Sequence, residues 1–140
     1  MSRSADLLRR LVGGLFVFTA GIHVGIVAAD AELYRAFADQ SYLPWVRTAW
    51  RDVFMAHPAA WGLVVAAGEL TIGVLILAGG RRTRIGLIGA IAFHVALMLF
   101  GWGYWMWSVP MLVLLGYLLS TSEDRPRLAD QRRGRHPMIR

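Results

Sequence analysis

The sequence predicts an all-helical integral membrane protein, a bundle of four transmembrane helices with both termini in the cytoplasm. Three observations lead to this prediction: the composition, four long apolar runs and the placement of arginine. Of the 140 residues, 56% are hydrophobic, and the mean hydropathy is +0.48. A soluble domain of this length could not bury that much apolar surface.

Four apolar runs are long enough for transmembrane helices, each of which needs about 20 residues to cross the hydrocarbon core. They cover residues 11–29, 59–80, 85–101 and 104–119. Short links join the last three runs, so we expect two antiparallel hairpins. The chain thus divides into a basic cytoplasmic start (1–10), a four-helix transmembrane domain (11–120) and a basic cytoplasmic tail (121–140), which we expect to be frayed or partly helical.

The arginines orient this domain. Most lie before the first run, between the second and third, and after the fourth, whereas the first loop balances three arginines with four acidic residues. The positive-inside rule then puts both termini and the tail on the cytoplasmic side of the cell inner membrane. A net charge of +6 therefore indicates anionic lipid headgroups rather than nucleic acid.

Two missing residue types narrow the chemistry. The chain has no cysteine, which excludes disulfides, thiolate ligands and iron–sulfur clusters held by its own residues. It has no lysine either, which excludes Schiff-base chemistry.

The first external loop contains a stretch, residues 44–56, that resembles an interfacial helix. Trp45, Val46, Trp50, Val53 and Phe54 share one helical stripe, and a proline opens the stretch. We expect a short helix lying along the outer membrane surface, because the stretch is too short and too charged to cross.

Three titratable residues lie deep in three different spans, and these are the catalytic candidates: His23, Glu69 and His94. At 1.5 Å per residue they lie roughly 18, 15 and 14 Å above the cytoplasmic edge, level within one helical turn. An acid at this depth costs several kcal/mol in hydrocarbon, so we expect Glu69 to point into the bundle and to meet His23 or His94.

The chemistry of this cluster stays open at this point. The three residues could exchange protons, bind a divalent metal, or bracket a b-type haem through the two histidines. They could equally be hydrogen-bonded packing residues. The cofactor-binding candidates outside the cluster are Tyr117 and Trp61.

The second span and its turn, Gly68 to Arg84, resemble the second-helix signature of the DoxX-like membrane proteins, which have a glutamate in a glycine-flanked apolar span before a basic turn. The first span, Gly14 to His23, is similar to that family's opening helix. The resemblance covers about residues 11–120. The external segment and His94 have no counterpart in the family pattern.

The resemblance implies a four-helix subunit of a membrane redox system, with the buried glutamate and histidine serving quinone or proton-coupled chemistry. Two other functions stay open: a non-catalytic membrane anchor or assembly subunit for a partner enzyme, and a small proton-coupled transporter, for which four helices would require a dimer. Partners would be the lipid bilayer, a second copy of the chain or a larger membrane complex, and a soluble redox protein at the cytoplasmic face.

Overall fold

The computed structural model describes the backbone of residues 3–133 and the side chains of residues 3–122. This part of the chain is almost entirely helical, with 92% helix and no strand. Four helical segments are long and apolar enough to cross a membrane: Arg3–Ala38, Pro58–Ala78, Gly80–Phe100 and Trp102–Ser122. The predicted all-helical class and the four helices of membrane-spanning length and composition are therefore confirmed.

The first helix starts earlier than the apolar run does. Helix α1 covers Arg3–Asp30 and continues into a 3₁₀ helix, Ala31–Ala38. The first turns of α1 are polar, and they are stabilised because Asp6 forms ion pairs with Arg9 and Arg10 at helical spacing. At the junction the Asp30 carboxylate accepts a hydrogen bond from the backbone N–H of Glu32 and caps the 3₁₀ helix.

Residues 31–57, which we call the cap segment, lie between the first and second membrane-spanning helices. Besides the 3₁₀ helix they form helix α2, Pro44–Ala49, and a π-helical turn, Trp50–Phe54. The stretch predicted from residue 44 is thus helical as far as residue 54. Its position along a membrane surface stays a prediction.

Three more helices complete the bundle: α3 at Pro58–Ala78, α4 at Gly80–Leu97 and α5 at Trp102–Arg133. A short 3₁₀ turn, Met98–Phe100, extends α4. Glycines make both tight links, because Gly79, Gly80 and Gly101 have positive φ values of 83°, 62° and 118°. The backbone of α5 runs into the predicted tail. Residues 134–140 of that tail, like residues 1 and 2, lie outside the described residues.

Neighbouring long helices pack in chain order, α1 on α3, α3 on α4 and α4 on α5. The backbones of neighbouring helices come into close contact at glycines. A Cβ atom on Gly73 would lie 2.8 Å from the carbonyl oxygen of Gly13. A Cβ on Gly86 would lie 2.7 Å from the backbone nitrogen of Ile76. Small residues at these two crossings therefore let α3 contact both neighbours through its backbone.

Arg9 closes one end of the bundle. Its guanidinium Nη1 donates to the carbonyl oxygens of Ile76 at 2.5 Å and Leu77 at 3.3 Å, in the last turn of α3. The hydroxyl of Thr83 donates to the same Ile76 oxygen at 3.0 Å. A buried cation at a helix C-terminus satisfies orphan carbonyls and complements the helix dipole. Arg9 thereby fixes the position of α1 along α3.

Candidate functional site

Glu69 lies on the buried face of α3, in the middle of the helix. That face consists of Gly62, Ala66, Glu69, Gly73 and Ile76. Their spacing of four, three, four and three residues keeps them on one side of a helix. The glycines and the alanine let α1 come close, and Glu69, 4% exposed as a whole residue, is enclosed between the two helices.

His23 faces Glu69 from α1. Its Nε2 atom lies 3.7 Å from Oε2 of Glu69, a separation that suits an ion pair but is too long for a hydrogen bond. The two side chains are 15% and 5% exposed. The structure therefore brings together two of the three residues that the sequence singles out.

Tyr34 of the cap segment completes the pair into a chain of three polar groups. Its hydroxyl lies 2.7 Å from Nδ1 of His23, and the two rings stack at 5.6 Å with an angle of 5°. Tyr34 is 1% exposed. When the hydroxyl donates to Nδ1, the proton of a neutral His23 resides on Nε2, which faces Glu69. Tyr34 thus orients the imidazole toward the acid.

Glu69 keeps one oxygen without a hydrogen bond. Within residues 3–122, no donor reaches its buried Oε2 atom, although the hydroxyl of Thr19 interacts with the same carboxyl group. A buried, unpaired carboxylate oxygen costs free energy unless the group is protonated, ion-paired or bound to a ligand. Such an atom is therefore a candidate for proton exchange.

Sequence reasoning missed Thr19 and Tyr34. Thr19 lies one helical turn before His23, so the spacing of four residues could have indicated that both face α3. No pattern in the cap segment distinguishes Tyr34, because its position depends on how that segment folds back.

A cavity of about 150 Å³ lies beside His23 and Tyr34, and we call it the aromatic cavity. Its walls are almost entirely apolar, and the two polar side chains among them are those of His23 and Tyr34. The remaining walls are Phe37, Trp50, Phe54, Val65, Phe93, Ala96, Leu97 and Phe100. Aromatic walls with a few convergent polar groups are typical of a ligand site.

The cap segment lines one side of this cavity and is held by polar contacts. Trp50 donates from Nε1 to the carbonyl oxygen of Tyr34 at 2.8 Å. Ser41 donates to the carbonyl oxygen of Leu99 at 2.6 Å, and Arg47 donates to that of Ser41 at 2.6 Å. The ring of Trp50 also stacks on Phe54 with 3.8 Å between centroids. These contacts tie the cap segment both to itself and to the end of α4.

His94 takes part in a different contact. It is 3% exposed, and its Nδ1 lies 3.4 Å from the hydroxyl of Ser108 on α5. Its ring also meets Phe16 edge to face at 5.9 Å. The structure thus pairs His94 with Ser108 between α4 and α5, a polar contact that fits helix packing. Its predicted catalytic role stays a prediction.

The two cofactor-binding candidates lie apart from the His23–Glu69 pair. Trp61, 41% exposed, lines an apolar groove of about 290 Å³ beside the aromatic cavity. Tyr117 is 47% exposed on α5.

In the part of the chain whose side chains are described, residues 3–122, no group of three His, Asp or Glu side chains could hold a metal ion. The arrangement of His23, Glu69 and Tyr34 instead suits proton transfer next to an apolar chamber.

Comparisons with known proteins give no relative for this arrangement, because no family model, no curated protein and no solved structure matches the chain.

Proposed function

We propose that this chain is a membrane-embedded subunit of a redox system in which Glu69 and His23 exchange protons with a quinone bound in the aromatic cavity. The observation that carries the proposal is the Oε2 atom of Glu69, which is buried, takes no hydrogen bond from residues 3–122 and lies 3.7 Å from Nε2 of a histidine that lines the cavity. A group that only joined helices would be expected to have its hydrogen bonds complete.

The three polar side chains have separate roles in this proposal. Tyr34 and His23 line the cavity. When the Tyr34 hydroxyl donates to a carbonyl oxygen of the ring, Nδ1 of His23 carries the proton that the Tyr34 oxygen accepts, so a proton reaches the ring from His23 through Tyr34. Glu69 is not among the residues that line the cavity. It lies behind His23, with Oε2 facing Nε2, and holds the proton that replaces the one that His23 gives up. Reduction of a quinone to a quinol takes two protons, which pass through these residues, and two electrons, which a partner redox protein supplies.

The cavity supports a ring as the ligand. An engineered protein cavity of about 150 Å³ lined by apolar side chains binds benzene. The cavity here has the same volume, and its aromatic walls suit a flat, polarisable ring. A bare metal ion or a haem group fits it less well, since the chamber offers few ligands and little room.

The proposal includes an orientation in the cytoplasmic membrane. Arg9, Arg81 and Arg82 lie at the end of the bundle where the cytoplasm would be, and the cap segment lies at the opposite, external end. Trp102, Trp105 and Trp107 are exposed near that external end, as expected of an interfacial belt. Helix α2 would then lie along the outer membrane surface. We also propose that the chain is related to the DoxX-like proteins, on the basis of the span that contains Glu69.

The experiment is redox-difference infrared spectroscopy on the purified chain in liposomes with decylubiquinone. Reduction of the quinone should change a carboxyl band in the wild type. The band should vanish in Glu69→Gln, which keeps the shape and polarity of the side chain but not its exchangeable proton. The matched control is Glu32→Gln, because Glu32 is an exposed acid paired with Arg35 in the cap segment.

Circular dichroism establishes that each variant is folded, and Glu69→Asp tests whether an acid at this position is sufficient. A carboxyl band that persists in Glu69→Gln, or a wild type without one, contradicts the proposal.

A second function is favoured by one observation, the exposed pair Arg81 and Arg82 at the turn between α3 and α4. These cations suit an acidic soluble partner, so the chain would be a membrane anchor whose buried polar residues only fix helix packing. In that case Glu69→Gln would leave a partner enzyme fully active, whereas replacing Arg81 and Arg82 with glutamine would release it from the membrane.

A further inference from the structure

A second chamber adjoins the aromatic cavity. It is an open apolar groove of about 290 Å³, which we call the apolar groove, and its walls include Trp45, Ala49, Val53 and Leu99. Trp50, Phe54 and Phe100 line both the cavity and the groove. The two chambers are therefore neighbours on opposite sides of the same three side chains.

The two chambers differ in chemistry. The aromatic cavity contains the polar atoms of His23 and Tyr34, whereas the groove is lined by apolar side chains and indole rings. Several groove walls face outward, including Trp45 at 61% and Val53 at 55% exposure. In a membrane these walls would contact lipid chains. A ligand that spans both chambers would thus have a polar ring and a hydrocarbon chain.

The shared wall consists of side chains from a π-helical turn and a short 3₁₀ turn rather than from a long helix. Trp50 and Phe54 belong to the π-helical turn, whose bond from the Met55 N–H to the Trp50 carbonyl is 2.9 Å long. Turns of this kind are frequent at functional sites. Phe100 meets Trp50 edge to face at 5.0 Å, from the last turn before Gly101. Rotation of Phe54 and Phe100 about their own χ angles would join cavity and groove without moving a long helix, while Trp50 keeps its bond to the Tyr34 carbonyl oxygen.

We infer that the ligand is a one-ring lipid, with its ring in the aromatic cavity and its hydrocarbon chain leaving through Trp50, Phe54 and Phe100 into the apolar groove. This inference rests on the proposed function, which it deepens by naming the ligand class. The cavity volume, about 150 Å³, admits one six-membered ring. The groove gives the chain a path out toward the lipid.

The groove should contribute passage rather than affinity. A chain that moves from lipid into the groove exchanges one apolar environment for another and gains little. Blocking the groove should therefore exclude a ligand that carries a chain, while a bare ring still enters. This difference separates the inference from a general loss of binding.

The test fills the groove with Ala49→Phe and compares it with Ala59→Phe. Both alanines are exposed. Ala49 lines the groove, whereas Ala59 lies in the first turn of α3 and is not among the groove walls. The probes are decylubiquinone, its chainless dimethoxy-methyl-benzoquinone ring, and anthraquinone, which has three fused rings. Binding is measured by tryptophan fluorescence quenching in nanodiscs, with concentrations expressed as mole fractions in the lipid.

In Ala49→Phe, decylubiquinone should bind about tenfold more weakly while the chainless ring is unchanged, a difference equal to about 1.4 kcal/mol. Ala59→Phe should change neither. Anthraquinone should bind the wild type about tenfold more weakly than the chainless ring, because three fused rings overfill the cavity.

The outcomes separate the two proposals. If no probe binds the wild type, the proposed function fails. If the chainless ring binds and loses affinity in Tyr34→Phe, but decylubiquinone binds Ala49→Phe as well as the wild type, the ring site stands and the chain path is refuted. Equal affinity for anthraquinone and the chainless ring refutes the one-ring assignment.

Discussion

The hydrogen bond between Tyr34 and His23 should contribute measurably to the stability of this protein. Tyr34→Phe removes the hydroxyl that lies 2.7 Å from Nδ1 of His23 and keeps the ring that stacks on it. Apolar burial is nearly unchanged, so the cost comes from the unpaired imidazole nitrogen. A buried polar atom that loses its partner costs about 1–3 kcal/mol, and we expect the free energy of unfolding to fall by that amount.

The assay is reversible unfolding in mixed micelles by titration with sodium dodecyl sulfate, followed by circular dichroism. Tyr42→Phe is the matched control, because the Tyr42 side chain is 69% exposed. A double-mutant cycle with His23→Phe isolates the pair. In the His23→Phe background, Tyr34→Phe should cost nothing or stabilise, since the buried hydroxyl already lacks its imidazole partner.

A coupling free energy near zero in this cycle would refute the reasoning. So would a loss in Tyr34→Phe no larger than that in Tyr42→Phe. Either result would mean that the cap segment is held over the cavity by its other contacts, such as the bond from Ser41 to the carbonyl oxygen of Leu99.

Three further predictions concern the frame around the site. Gly73→Ala should destabilise by about 1–3 kcal/mol in the same titration, because its Cβ would lie 2.8 Å from the Gly13 carbonyl oxygen; Gly68→Ala on the same helix, with no neighbour within 4 Å, should not. Arg9→Met should destabilise by about 1–3 kcal/mol through the lost bonds to the last turn of α3, whereas Arg10→Met, at an exposed side chain, should be nearly neutral. Reporter fusions at positions 5, 40 and 130 should read inside, outside and inside, and an external C-terminus would overturn the orientation drawn from arginine.

The sequence determines the number and kind of helices here. Each apolar run is long enough to cross a bilayer, and a backbone in lipid must satisfy its own hydrogen bonds, so these runs form helices whatever their neighbours do. Gly79 ends α3 and Gly101 ends the 3₁₀ turn after α4, because their positive φ values favour glycine. The burial of Glu69 is equally predictable, since an acid facing lipid would lack any partner.

The choice of partners needed the tertiary structure. The depths of His23 and His94 make both suitable for Glu69, yet His23 faces it while His94 meets Ser108. The close approach of α1 and α3 lies at Gly13 and Gly73, whereas a Cβ on Gly21 or Gly25 would meet nothing within 4 Å in this chain. Equal depth and small size are thus insufficient to specify a contact.

The physical reason is that lipid and the interior of a membrane bundle are about equally apolar. In a soluble protein, the polar residues of a helix mark its exposed face, so the buried face can be read from the sequence. A membrane helix has apolar residues on all sides, so packing against its neighbours sets its rotation. Tyr34 and the aromatic cavity depend further on contacts far apart in sequence, from Trp50 to Tyr34 and from Ser41 to Leu99. The sequence alone determined four helices with a buried acid, whereas helix rotation and the folded cap segment decided which groups meet that acid and what chamber lies beside it.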